Sequence, residues 1–262
     1  VKEGSIIMNV IVLAGNKKVN PNSADNSNQN DITTQLGNKA LIKLKDKYMI
    51  EYVINTLRNS SLIDKIAVVG PKEQLAPIIG DRVDYIMEGT DSIVTNGLLA
   101  MENFKNDKQI LITTSDIPML TVAALEDFIN KALGMNADLC YSVVDKKVND
   151  KKYPEVKRTY ARLREGQFTG GNIFLFNPAA TEKCKAFIEK MLEYRKNPAK
   201  MAMVLGFGFL IRMALGILTI SAVQKKTERL LGIKGAVVIS GYPEVGNDVD
   251  KLSDIQFVEK YL

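Results

Sequence analysis

Histidine and tryptophan are absent from this sequence, and cysteine occurs only twice. Without histidine, Ser-His-Asp and Cys-His catalysis fall away together, and so do histidine-ligated metals. Cys140 and Cys184 form no C-x-x-C, so neither a disulfide framework nor a zinc site has its material. Any bound metal must then sit on oxygen ligands, which suits Mg²⁺. No basic run interleaved with aromatic residues is present, so nucleic acid is not the expected partner. The stretch from Val1 to Ile7 lacks a charged region followed by an apolar core and a cleavage site. No export signal is read from it, and the expected location is cytoplasmic.

What is present is an ordinary globular composition. Of the 262 residues 46% are apolar and 25% charged, enough to build a sizeable core. The net charge of +5 is spread along the chain, and phosphate-bearing small molecules account for it. No repeat and no Pro- or Gly/Ser-rich linker interrupts the sequence, so residues 1–262 read as a single domain.

The order of elements alternates. Ile6–Leu13 is a nearly unbroken apolar run, as a strand buried on both faces of a parallel sheet requires. A long polar loop follows from Gly15 to Asn38, beyond the length of an ordinary βα connection. Met49–Asn59 carries apolar residues at helical spacing (Ile50, Val53, Ile54, Leu57). Ile66–Val69, Val83–Met87, Ile110–Thr113 and Asp138–Val144 read as further strands. Ser92–Phe104 and a helix capped by Thr121 lie between them. This alternation is the signature of a parallel sheet covered by helices on both faces. The second half is less regular: an antiparallel-type strand at Arg158–Arg164, a strand at Gly171–Phe176, and a helix at Ala179–Arg195. A further helix opens at Pro198, another runs from Thr219 or Ser221 to Gly232, and Ala236–Ser240 is a last strand.

In such sheets ligands bind beyond the carboxyl ends of the strands, and three segments there are chemically pointed. Leu13-Ala14-Gly15 follows the first strand, with Lys17, Lys18 and, after the loop, Lys39 available to phosphates. Asp116, in Ser115-Asp116-Ile117-Pro118, is a carboxylate at a strand end and a natural Mg²⁺ ligand. Gly246-Asn247-Asp248-Val249-Asp250 places two carboxylates at i and i+2, on one face of an extended segment, where their repulsion calls for a cation. Taken singly, each has a plainer reading: a solvated loop, a turn-forming aspartate, and a helix cap with a spare acid.

Taken in order, these pieces resemble the NTP-transferase family that includes molybdenum cofactor guanylyltransferase, methylerythritol-phosphate cytidylyltransferase and the sugar-phosphate nucleotidylyltransferases. The matching segments are Val10–Gly15, Lys39–Leu44, Tyr48–Ile54, Ser115–Leu120, Gly170–Phe174 and Asp248–Lys251. The resemblance implies an α/β, Rossmann-like GT-A nucleotidyltransferase fold whose mixed sheet is mostly parallel. It implies transfer of a nucleoside monophosphate from an NTP to a small phosphorylated acceptor, with Mg²⁺ as cofactor and pyrophosphate as product. The turn Leu13, Ala14, Gly15, with Lys17 and Lys18, would hold the nucleotide. Ser92 and Asn96 would lie in its base-recognition segment. Lys39 and Asp116 would be catalytic, and Gly171 and Asn172 would face the acceptor. Asp116, Asp250 and Asp248 would bind the metal. One departure is that Asn16 follows Gly15 where the family has a further small residue, and the loop is long and polar. The alternative is a non-catalytic nucleotide- or partner-binding protein on the same fold; the retained Lys39, Asp116 and Asp250 favour the enzyme.

An apolar helical insertion at about 198–232 stands apart. Met201–Val223 is almost wholly apolar but broken by Arg212, which argues against a membrane span, since an arginine at mid-span costs about 2.5–3.5 kcal/mol on insertion scales. The plain expectation is a buried helix pair. The sharper one is a surface for a homo-oligomer, or for peripheral contact with a membrane carrying a lipid-linked acceptor.

Overall fold

The computed structural model describes residues 7–15, 38–90, 92–194 and 198–262. Strand β1 (Met8–Leu13) is followed, beyond the polar loop, by a short hairpin of β2 (Lys43–Leu44) and β3 (Lys47–Tyr48) and by helix α1 (Met49–Arg58). Next come β4 (Ile63–Gly70), α2 (Lys72–Ile79), β5 (Tyr85–Glu88), α3 (Ile93–Met101), β6 (Ile110–Thr114), α4 (Val122–Gly134) and β7 (Leu139–Asp145). The second half holds α5 (Lys146–Lys152), β8 (Ala161–Leu163), β9 (Gly166–Phe176), α6 (Thr181–Tyr194), α7 (Pro198–Leu205), α8 (Phe207–Ala214), α9 (Ile220–Leu231), β10 (Gly235–Ser240) and α10 (Leu252–Val258).

One eight-stranded sheet runs β10-β7-β9-β6-β1-β4-β5, with β8 paired to β9. β1 is parallel to β4 and β6, β4 to β5, and β7 to β10. β9 is antiparallel to both β6 and β7, so those two point the same way. All the parallel strands therefore end at one edge, as the alternation predicts. Val10, Ile11 and Val12 are fully buried because helices cover both faces. Val10 and Val12 pack with Ile50, Ile54 and Phe128 of α1 and α4, while Ile11 packs with Ala100 and Phe104 on the other side.

Two helices escape the apolar periodicity. α2 is short and carries Pro77 inside it, giving up one helical hydrogen bond. α5, Lys-Lys-Val-Asn-Asp-Lys-Lys, has no apolar stripe; the Asp145 side chain caps it at Lys147 N (2.7 Å), and Lys146 pairs with Asp150 one turn on. The 198–232 segment forms α7, α8 and α9, but the expected buried helix pair is not what they make. None of the described side chains of α8 or α9 is buried; Leu218, in the turn between them, is buried, and Leu231 at the end of α9 packs half-buried against Phe176, Cys184 and Ile233. No helix of the described residues is long and apolar enough to cross a membrane.

Both thiols lie in this core, Cys140 fully buried and Cys184 nearly so. Burial pushes the Cys140 thiol up to about 11 and raises that of Cys184 as well. At pH 8 the Cys140 thiolate is then about a thousandth of the population. Neither cysteine should react with Ellman's reagent in the native protein, and both should react at once in denaturant. Fast native labelling of either one would contradict the packing described.

Candidate active site

The site is assembled at the carboxyl edge of the sheet, where β1 and β6 lie side by side. Leu13 is paired with Val69 on one flank and Thr114 on the other. Two further bonds carry the register into the loops: Ala14 N donates to Val69 O (2.8 Å) and Ser115 N to Leu13 O (3.2 Å). Gly15 then turns with φ +65°, a left-handed conformation that a side chain would strain. Its carbonyl accepts from Asn38 Nδ2 (2.9 Å), while Asn38 Oδ1 accepts from Ala40 N (2.8 Å) and caps the turn of 3₁₀-helix at Lys39–Leu41. One asparagine thus fixes the Lys39 turn against the Gly15 turn.

Asp116 comes from the end of β6 and the acidic loop from after β10. They meet because Val249 N donates to the Asp116 carbonyl (2.9 Å). Carboxylate oxygens of Asp116, Asp248 and Asp250 lie within 4.8 Å of one another. Lys39 Nζ lies between two of them, 3.2 Å from Asp116 Oδ2 and paired with Asp250. Burial by itself would lower the Lys39 pKa, but the Asp116 and Asp250 carboxylates outweigh it and hold the ammonium above its ordinary value. Burial likewise works against the charge on Asp250, and the hydrogen bond from Lys39 overcomes it, leaving the carboxyl below the usual range. Asp248 goes the other way. Burial raises its pKa, and the ion pair with Arg158 only partly offsets this against the nearby charges of Asp250 and Asp116. The second oxygen of Asp116, Oδ1, is buried without a hydrogen-bond partner among the described residues.

The acidic loop has its own supports. Asp254 Oδ2 accepts from the backbone N–H of both Asp250 (2.9 Å) and Lys251 (2.8 Å). Upstream, Glu244 is buried and accepts from Tyr153 Oη (2.8 Å), with Lys152 as its ion-pair partner, which ties the end of α5 to the turn leading into Asn247. Beside Asp248 and Asp250 opens a cleft of about 520 Å³, lined also by Lys157, Arg158, Asn247 and Lys251. Asn247 is buried, and both polar atoms of its side chain lack partners among the described residues.

The remaining candidates sit as follows. Lys17 and Lys18 lie outside the described residues. Ser92 caps α3 by accepting from Thr95 N (3.2 Å). Asn96 is buried and occupied by Thr90: its Oδ1 accepts from Thr90 N (2.6 Å) and Oγ1 (2.9 Å), and its Nδ2 donates to Thr90 O (3.0 Å). Asn96 therefore shapes the loop before α3. Gly171 is buried against Ser142, where a Cβ would lie 2.1 Å from Oγ, and Asn172 beside it is half-buried. There the β7–β9 register shifts, and the Ser142 hydroxyl bridges the gap by donating to Ile173 O (2.8 Å). The glycine has a packing reason independent of any ligand. Sequence reasoning missed Asn38, Arg158 and Asn247. Asn38 had a signal, an asparagine just before a helical turn, but Arg158 and Asn247 are placed only by the tertiary fold.

With this geometry established, the sequence matches the family model of the MobA-like NTP transferase domain over residues 34–201. Among solved structures, a hypothetical transferase from Thermus thermophilus is 30% identical with a TM-score of 0.81, the match covering 95% of this chain and 100% of that one. The 2-C-methyl-D-erythritol 4-phosphate cytidylyltransferase of Francisella tularensis is 14% identical with a TM-score of 0.59, over 98% of this chain and 100% of that one. A CMP:2-keto-3-deoxy-manno-octonic acid synthetase complexed with CTP is 12% identical with a TM-score of 0.57, over 98% of each chain. At these last two identities the likeness is one of fold. A search of the curated proteins finds no match.

Replacing Lys39 by methionine leaves Asp116 and Asp250 without the cation between them. The expected loss is about 1–2 kcal/mol, below that of a fully buried pair because Asp250 is largely exposed. Asp250→Asn in the same background, or millimolar Mg²⁺, should recover part of it. The sign with pH follows from the shifts. The raised Lys39 pKa keeps its contribution intact at neutral pH, and it is lost only in strong alkali. The lowered Asp250 pKa makes its contribution fade as pH falls below the ordinary carboxylate range, so wild type and variant should converge in acid. Urea melts from pH 3 to 8 measure this, and a variant as stable as wild type at neutral pH would refute the coupling.

Proposed function

We propose that this chain, which belongs to the MobA-like NTP transferase family, transfers a nucleoside monophosphate from an NTP to a small phosphorylated acceptor and releases pyrophosphate. In this reading residues 1–262 are one nucleotidyltransferase-like domain with a helical insertion at about 198–232. The observation that carries the reaction is the convergence of Lys39, Asp116 and Asp250 at the carboxyl ends of β1 and β6.

The donor set fits Mg²⁺. It is all oxygen, the carboxylates already crowd one another, and Asp116 Oδ1 is a buried acceptor with nothing to accept from among the described residues. Asp116 and Asp250 would hold the ion, with Asp248 beside them, anchored by Arg158. When bound, the ion supplies neutralisation of the phosphate charge and takes over the service Lys39 performs for the carboxylates here.

The chain's own residues do the rest. The Leu13–Gly15 turn receives the nucleotide; a Cβ on Gly15 would meet nothing within 4 Å among the described residues, so backbone and ligand can approach closely. Lys17 and Lys18 extend that role to the phosphates. Ser92 shapes the base-recognition segment as the cap of α3, and Asn96 does so through Thr90. Lys39, a flexible point charge, brings its ammonium to the phosphates. The cleft beside Asp248 receives the acceptor, with Lys157, Arg158 and Lys251 facing its phosphate, Asn247 offering an unpaired amide, and Gly171 and Asn172 nearby on β9. An acceptor phosphate oxygen forms the new bond to the α-phosphorus as the bond to the β-phosphate oxygen breaks. A phosphate monoester is already anionic at neutral pH, so no general base is needed, in keeping with a sequence that has no histidine. Positioning and charge neutralisation carry the rate.

Asp116→Asn should lower Mg²⁺-dependent pyrophosphate release by about 10²-fold or more. Its thermal midpoint should stay nearly unchanged, or rise as repulsion with Asp248 and Asp250 is relieved. The assay is a panel of NTPs and phosphorylated acceptors, with nucleotide binding followed with and without Mg²⁺. Turnover equal to wild type would remove Asp116 from the mechanism.

A further inference from the structure

Exposed large apolar side chains are common singly, but here they are concentrated. Six of the twelve among the described residues fall between positions 203 and 217: Met203, Phe207, Ile211, Met213, Leu215 and Ile217. Phe207, Ile211 and Leu215 recur at i, i+4 and i+8, one face of α8, and are 67%, 59% and 65% exposed. A contiguous apolar face of this kind marks a contact surface rather than ordinary surface composition.

The charges around it are mostly positive, although Lys200 is paired with Glu193 of α6. Between Pro198 and Leu231 the sequence places Lys200, Arg212, Lys225, Lys226 and Arg229 against the lone acid Glu228. Arg212 is exposed on α8 itself. Lys226 reaches the turn between α7 and α8, where a Cβ on Gly206 would lie 3.9 Å from its Nζ. α8 is eight residues long, about 12 Å, far short of the roughly 30 Å hydrocarbon core of a bilayer. A helix this short can lie in the interface but cannot span.

Its position relative to the acidic cluster is fixed by β8. Phe168 pairs with Asp145, the last residue of β7, and also with Ala161 of β8, so β8 stands at the carboxyl edge of the sheet. The link after α8 is bound to it: Arg164 N donates to Leu218 O (2.7 Å), Ile220 N donates to Glu165 Oε1 (3.0 Å), and Gly216 packs against the Arg162 side chain. Arg158, the partner of Asp248, is three residues before Ala161, about 10 Å of extended chain.

We propose that the α7–α8 surface docks on an anionic lipid bilayer, its apolar face entering the interface, its cations meeting the headgroups, and the carboxyl edge of the sheet held toward the membrane. A second copy of the chain is the poorer occupant. A two-fold contact would set the same cations of each copy against each other, whereas an anionic bilayer matches both the apolar face and its charge.

The test is flotation on vesicles of phosphatidylcholine alone and of phosphatidylcholine with about a third phosphatidylglycerol, with sedimentation equilibrium in the absence of lipid. Wild type is expected to be monomeric, to float with the anionic vesicles, and to be released by high salt. The triple variant Phe207→Ser, Ile211→Ser, Leu215→Ser should lose flotation about tenfold or more. Arg212→Gln with Lys226→Gln, which leaves the apolar residues in place, should lower it several-fold at low salt and decides the matter if the triple variant folds poorly. Asp116→Asn should float as wild type does, which separates this proposal from the catalytic one. Absence of flotation, equal flotation of the variants, or a wild-type dimer that the triple variant dissolves would overturn it.

Discussion

Carboxylates held within 4.8 Å of one another cannot all stay ionised unless positive charge is close by, and the site is organised around that requirement. Lys39 meets it for Asp116 and Asp250, and Arg158 meets it for Asp248. The two cations come from elements far apart in the chain, one behind β1 and one before β8. The acidic loop can be pressed onto the end of β6 by the bond from Val249 N to the Asp116 carbonyl because those cations are in place. The supports radiate outward from there: Asn38 clips the Lys39 turn, Asp254 holds the backbone of the acidic loop, and Glu244 anchors its start.

Much of the fold was legible because its signals are local. The continuous apolar run ending at Leu13 means burial on both faces, and Val10 to Val12 are buried so. Alternation of strand and helix implies the parallel order, and the structure has it. The elements that escaped were those without apolar periodicity, such as α5, which a cap and an i, i+4 ion pair hold. β9 reaches back to Gly166, before the expected Gly171, because the Ser142 hydroxyl carries the ladder across a register shift that no period-2 pattern reveals. In the candidate site, Asp116 announces itself as a charge at a strand end, Lys39 as a cation following the first loop, and Asp250 as one of two acids at i and i+2. Arg158 and Asn247 do not, since an arginine opening an expected antiparallel strand, which the structure shortens to Ala161–Leu163, and an asparagine in a turn acquire meaning only from what the fold sets beside them.

The segment around α8 shows the limit of reading burial from hydropathy. Its composition is that of a core helix, and the expected buried helix pair followed from composition alone. Burial depends on whether another surface is available, and over the centre of the sheet both faces are already covered by α1, α3 and α4. Of the helices added between β9 and β10, α6 and the end of α9 pack beside Phe176 and Ile233, whereas α8 rests on β8 and its flanking links with its apolar side outward.

The pairing of Lys39 with Asp250 spans 211 positions of sequence. At synthesis rates of 5–20 residues per second, roughly 10–40 s separate the two residues as they leave the ribosome. Over most of that interval β1, β4 and β6 exist while the loop that completes the acidic cluster does not. A nascent chain can therefore acquire the β1, β4 and β6 part of its sheet and the Gly15 turn well before it can assemble the charged centre. Ribosome-bound intermediates and prematurely terminated products lack the ion pair that closes it.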